Sequence, residues 1–192
     1  MADRDQLLAA ARRAIAANGP EVTLDDIAAE ADVSKPILYR TIGDKDALVN
    51  ALSESLVDRI NEAVATATAI VADGPSGFEA AVRACLQTIE AERNLFLFVN
   101  GGAGTDSFRG LVDRSAHDMV ELFTATRSHA GLDPVPARTW AYAVVGAIQV
   151  VATMWLRDEF DDLDRVARDL ARLMWFGLSE TGDATAERPP SG

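Results

Sequence analysis

Thr23-Leu24-Asp25-Asp26-Ile27-Ala28-Ala29-Glu30-Ala31-Asp32-Val33-Ser34-Lys35-Pro36-Ile37-Leu38-Tyr39-Arg40-Thr41-Ile42-Gly43-Asp44-Lys45-Asp46-Ala47-Leu48 decides how the rest of the chain is read. Thr23 stands where a helix N-cap belongs, and an acid, Asp26, follows at the third helical position. Leu24, Ile27, Ala28 and Ala31 then recur on one face. After Asp32-Val33, Ser34 is a second N-cap candidate, and Pro36 is tolerated in a first turn because its missing N–H would be unpaired there. The spacing predicts a short helix from Lys35 to about Ile42, with Leu38 and Ile42 inward and Lys35, Pro36, Ile37, Tyr39, Arg40 and Thr41 on or near the outside. Two short helices with a tight turn, the second presenting cationic, aromatic and small apolar groups, have the form of a helix-turn-helix. The turn itself lacks the common Gly, and a small helical hairpin with ordinary solvated charges would share the pattern.

Upstream, Arg4 to about Asn18 reads as a helix with Leu8, Ala11 and Ile15 on one face, ended by Gly19-Pro20. The 192 residues carry a net charge of −12, which argues against nucleic acid when taken as an average. Position reverses that argument. Between Val33 and Lys45 the cations Lys35, Arg40 and Lys45 face one acid, Asp44, so this stretch is +2 and the remainder −14. Both lysines of the chain fall here. A cationic surface on an acidic body fits a DNA-binding head whose other surfaces are kept off DNA.

An Ile-Ala-x-x-Ala helix (Ile27 to Ala31), Val33-Ser34, Leu38-Tyr39, and Lys45 followed by x-x-Leu48 together resemble the signature of the TetR family of one-component transcriptional regulators. The resemblance spans about residues 4–52; Ile42 stands where many members carry Phe, and Thr41 where His or Tyr is common. It implies a homodimer that inserts one recognition helix per subunit into successive major grooves of a palindromic operator, about 34–36 Å apart or somewhat more when free. Lys35 would donate to guanine O6/N7, and Pro36 and Ile37 would meet thymine methyls. Tyr39 and Lys45 match family positions that hold phosphates, and Thr23 can do so from a helix N-terminus. Arg40 reads a base or binds phosphate; Ser34 and Thr41 complete the DNA-facing set.

Beyond Gly43 the chain reads as five or six longer helices with no strand signal, so the fold class is all-α: a three-helix head and a helical ligand-binding and dimerisation body. The expected domains are 1–46 and 47–180, with a disordered tail over 181–192. Leu48, Leu52, Leu56 and Ile60, then Val64, mark a long helix that would join head to body. Trp140 to Leu156 is nearly all apolar, but 17 residues holding Gln149 and Thr153 fall short of the roughly 20 needed to span a bilayer. A helix buried on all sides, with no membrane partner, is the reading taken. The acidic run Asp158 to Asp164 lacks the spacing of a calcium loop and complements the dipole of the helix that follows.

Aromatic and apolar residues concentrated from Leu95 onward are core in the plainest reading. A few polar residues among them suggest a site for a small, largely apolar effector, lined by Phe96, Asn100, Phe108, His117, Phe123, Trp140 and Gln149. On the Trp140–Leu156 helix, Ala143, Gly146, Ala147, Val150 and Met154 form one stripe, and Trp140, Val144, Ile148, Val151 and Trp155 a second. One stripe would face a second chain, joined by Leu163, Val166 and Leu170 of the last helix, whose inward set also includes Leu173.

Nucleophilic catalysis needs a base beside its nucleophile, and the only histidines, His117 and His129, read as structural. Cys85 sits in an amphipathic helix with no motif nearby, and Gly101-Gly102-Ala103-Gly104 has no preceding strand to make it a phosphate cradle. No enzyme, cofactor or metal site is expected, and one Cys with no leader-like N-terminus points to the cytoplasm. The sequence therefore reads as a DNA-binding regulator, a repressor released by its effector. The alternative is a helical small-molecule-binding or scaffold protein without specific DNA binding.

Overall fold

The computed structural model describes residues 3–71, 74–101, 105–129, 131, 133, 135–157 and 162–177, apart from the side chains of 105–109, 111, 126 and 127. Among them nine helices form and no strand: α1 (Arg4–Asn18), α2 (Leu24–Glu30), α3 (Lys35–Ile42), α4 (Lys45–Thr68), α5 (Pro75–Ala91), α6 (Arg93–Gly101), α7 (Thr105–His129), α8 (Ala137–Leu156) and α9 (Leu163–Phe176). The all-α class and the order of three short helices before longer ones are as the sequence led us to expect. The expected tail over 181–192, the acidic stretch 158–161 and the glycine run 102–104 lie outside the described residues.

One apolar core runs the length of the molecule. It starts with Leu7 and Ile15 of α1, Ile27 of α2 and Leu38 of α3, passes through Leu48, Leu52 and Leu56 of α4, and ends on Leu86, Phe96, Leu156 and Leu170. The strict i+4 leucines of α4 thus serve head and body at once. A smaller cluster of Ala116, Ala141 and Val145 joins α7 to α8. Arg12 of α1 and Arg59 of α4 both pair with Glu92, which immediately precedes α6, at 3.1 and 2.6 Å. Arg12 also donates to Ser55 Oγ at 2.5 Å, and Asn94 donates to the carbonyl of Ala16 at 3.2 Å.

Three expectations are corrected. The buried face of α1 is Leu7, Ala10, Ala11, Ala14 and Ile15, with Leu8 only half-buried, because α1 packs on both α2 and α6. Helix α8 is not buried on all sides. Its buried stripe is Ala137, Ala141, Val145, Gln149, Ala152 and Leu156, neither of the two stripes expected, while Trp140, Ala143 and Val150 are exposed. At 20 residues it is long and apolar enough to cross a membrane by length and composition, as a core helix can be. In α9, Leu173 is 46% exposed rather than inward, since α9 packs chiefly on α5 through Ala167, Leu170 and Ala171.

Candidate nucleic-acid interface and ligand cavity

The head is assembled from local hydrogen bonds that its sequence specifies. The Asp26 amide donates to Thr23 Oγ1 at 3.2 Å, and Asp26 Oδ2 accepts from the Thr23 amide at 2.9 Å and hydroxyl at 2.6 Å. This reciprocal cap closes the first turn of α2. The hydroxyl and amide of Thr23, in that order, hold the Asp26 carboxyl below its ordinary pKa. The turn without Gly is made by Asp32, at φ +52°, a left-handed conformation that Asp tolerates better than most residues. Val33 N–H then donates to Ala28 C=O at 3.0 Å, so α2 ends and α3 begins within four residues. Gly43, at φ +105°, closes α3; a Cβ there would lie 2.9 Å from that of Ala47. Glycine is required at that position both for its backbone and for the approach of α4.

Leu38 and Ile42 are buried, and Ser34, Lys35, Pro36, Tyr39 and Arg40 are exposed along α3, with Ile37 and Thr41 half-buried between. Lys45 is exposed in the first turn of α4, behind the Asp44 cap. Thr23 is exposed at the start of α2, its hydroxyl already engaged in the cap. Lys35 Nζ lies 2.8 Å from Asp25 Oδ1, and that hydrogen-bonded carboxylate raises the lysine's pKa. Both partners are well solvated, so the pair is weak and readily exchanged for a phosphate or a base edge.

Within the body, α4, α5, α6, α7 and α8 enclose a cavity of about 130 Å³. Its wall is apolar: Leu56 and Ile60 from α4, Phe78, Val82, Cys85 and Ile89 from α5, Phe96 from α6, Met119 from α7, and Val144 and Ile148 from α8. Asn61, Ser115 and Gln149 supply the polar lining. Asn61 donates to Asp118 at 2.9 Å, whereas the buried Gln149 Oε1 has no hydrogen-bond partner. Cys85 is half-buried and lines the cavity; burial pushes its thiol up to about 12.

Of the effector-site residues expected from sequence, Phe96 and Gln149 line this cavity. Asn100 turns back on its own helix, donating to Phe96 C=O at 2.8 Å. His117 is exposed on the outer face between α4 and α7, 3.9 Å from Glu121. Phe123 and Trp140 pair edge-to-face at 6.5 Å in an adjoining open groove among α5, α7, α8 and α9, which shares Phe78 and Val144 with the cavity. The side chain of Phe108 lies outside the described residues. The α4 and α5 wall was missed because a cavity wall and a packed core carry the same apolar letters. Only the polar exception, Gln149, marked it.

The expected interface residues on α8 and α9 differ in exposure. Ala143 and Val150 are exposed, Gly146, Ala147, Met154, Leu163 and Val166 are half-buried, and Leu170 is buried on the inward face of α9. Leu173, Trp175 and Phe176 add apolar surface on α9, each more than a third exposed. Trp175 packs against Phe78 in a tilted pair, ring centroids 5.7 Å apart. Among the described residues, no cluster of His, Cys, Asp or Glu is placed to hold a metal ion.

The profile of the family described as bacterial regulatory proteins, tetR family, matches residues 7–52. The chain is 28% identical to the HTH-type transcriptional activator FasR of Mycolicibacterium smegmatis, over 92% of this chain and 83% of that one. Among solved structures it resembles a TetR-like transcriptional regulator from Rhodococcus sp. RHA1, at 28% identity and a TM-score of 0.64, covering 91% of this chain and 94% of that one. It also shares the fold of the transcriptional regulator FadR of Bacillus subtilis in complex with stearoyl-CoA, at 17% identity and a TM-score of 0.63, over 90% and 98% of the two chains.

Proposed function

We propose that the chain, whose residues 7–52 match the tetR family of bacterial regulatory proteins, is a cytoplasmic repressor of that family, released from a palindromic operator by a small, largely apolar effector. The domains are 1–46 for DNA and 47–180 for effector and dimerisation. Lys35, Pro36 and Ile37 read bases. Tyr39, Lys45, Ser34 and Thr23 hold phosphates and orient the helix; Arg40 and Thr41 flank the contact. A second copy covers the apolar face of α8 and α9, giving a two-fold dimer with two heads.

One observation carries the effector reading. Phe96 forms part of the cavity wall on α6, and Glu92, four residues earlier, is gripped by arginines from α1 and α4. An effector that moves α6 therefore pulls on the helix that opens the head and on the helix that connects it to the body. Such coupling is reciprocal, so operator DNA must weaken effector binding by the same factor, typically about 5–150-fold.

Fluorescence anisotropy with DNA from the protein's own upstream region tests the reading. Sequence-preferring, salt-sensitive binding that weakens when effector fills the cavity is the expected result. Binding without preference would support a ligand-binding or scaffold protein instead. An effector that tightens operator binding would overturn release.

A further inference from the structure

We propose that Gln149 is the polar anchor of the cavity, and that it selects an uncharged effector whose buried end carries a hydrogen-bond donor such as a hydroxyl. The inference rests on the cavity being the effector site and adds the chemistry of what enters it. Gln149 is 5% exposed and sits in the most buried stripe of α8. Gln149 lines the cavity, and its Oε1 is enclosed with no hydrogen-bond partner. Buried polar groups are almost always paired, so an orphaned carbonyl on a residue that borders a void is completed by whatever fills that void. Water is a poor filler for a space whose lining is so largely aliphatic and aromatic.

The rest of the lining sets the charge. Among the described residues no Lys, Arg or His lines the cavity. Asn61, on its wall, is bonded to the carboxylate of Asp118. A carboxylate or phosphate at the Gln149 end would be desolvated with no cation among the described lining residues to meet it. An ammonium would lack a carboxylate among the described lining side chains. A neutral donor satisfies Gln149 at no such cost. The volume of about 130 Å³ is close to that of engineered cavities of roughly 150 Å³ that hold benzene. One ring or a short branched chain therefore fits without rearrangement.

Ethylbenzene, benzyl alcohol and benzoate form a matched series, and their dissociation constants for the full-length protein are measured by calorimetry at neutral pH. In the native protein benzoate binds at least about tenfold more weakly than benzyl alcohol. In Gln149→Leu, and in the unbranched Gln149→Met should the first fold poorly, the affinity of benzyl alcohol relative to ethylbenzene falls about tenfold. An unchanged ratio in a folded variant, or benzoate as the tightest ligand, overturns the role given to Gln149 while leaving the cavity as effector site. Failure of all three to bind overturns both.

Discussion

Head and body use their buried residues in opposite ways. In the head, Ile27, Leu38 and Ile42 are buried only to hold three short helices together, and the candidate contacts lie on or near the surface, from Ser34 to Arg40. In the body, Leu56, Val82, Phe96 and Gln149 are equally buried, yet they surround a void, so the candidate functional surface faces inward. An outward site advertises itself by charge and polarity against an apolar interior. An inward apolar site is written in the same residues as the core around it. The two regions nevertheless share one core through Leu48 and Leu52, so the contrast is one of use rather than of separate folding units.

The largest expected effect tests that sharing. Leu38→Ala empties a site that is 2% exposed and should cost about 2–5 kcal/mol. Because head and body share the core through Leu48 and Leu52, operator and ethylbenzene binding should weaken together. Ethylbenzene binding kept at full strength while operator binding is lost would mean that the head unfolds separately from the body. Next come the lysines. Lys35→Ala should cost about 1–3 kcal/mol at its own base pair and relax the preference there, whereas Lys45→Ala should weaken all sequences alike and lower the salt slope by about one. If both variants alter only base preference, the phosphate role of Lys45 is lost.

Glu92→Gln keeps the shape of the junction but removes the charge that Arg12 and Arg59 share. DNA and effector should each still bind, with their mutual antagonism reduced by about 0.5–2 kcal/mol. Undiminished antagonism in anisotropy titrations would move the coupling elsewhere. The smallest effect concerns Cys85. Its folded pKa is raised to about 12 by burial, so its contribution is intact below the ordinary thiol range and declines as pH rises from about 9 toward 12. At pH 10 the loss should be on the order of 1 kcal/mol, and Cys85→Ala should flatten that limb of a stability-against-pH curve. An alkaline limb unchanged by the substitution would mean that the thiol ionises freely within the cavity.

Much of the head was legible in the sequence because its signals are local. The Thr23–Asp26 box, Pro36 in a first turn and Gly43 at a close approach each act within four residues. The turn at Asp32 was legible only in part, since the missing Gly is replaced by an Asp that accepts the same backbone angle. In the body, a pattern of period 3.6 identifies helices but leaves open which face meets which neighbour. Two apolar stripes were visible on α8, and the buried one was a third, carrying the Gln that looked least suited to burial. Leu173 followed the inward period of α9 and is exposed, because α9 lies against α5 and only lightly touches α8.

By itself the sequence determined the helical class, the caps and turn of the head, and the cationic α3 on an acidic chain. These depend on bonds and charges between near neighbours, which spacing alone reveals. Only the tertiary structure decided that α4, α5 and α6 complete a cavity with α7 and α8, that Glu92 ties α1 to α4, and that Gln149 borders a void with its Oε1 unpartnered. Those outcomes depend on packing between residues up to 80 or more positions apart, as with Arg12 and Glu92, where many arrangements bury similar area and differ only in shape.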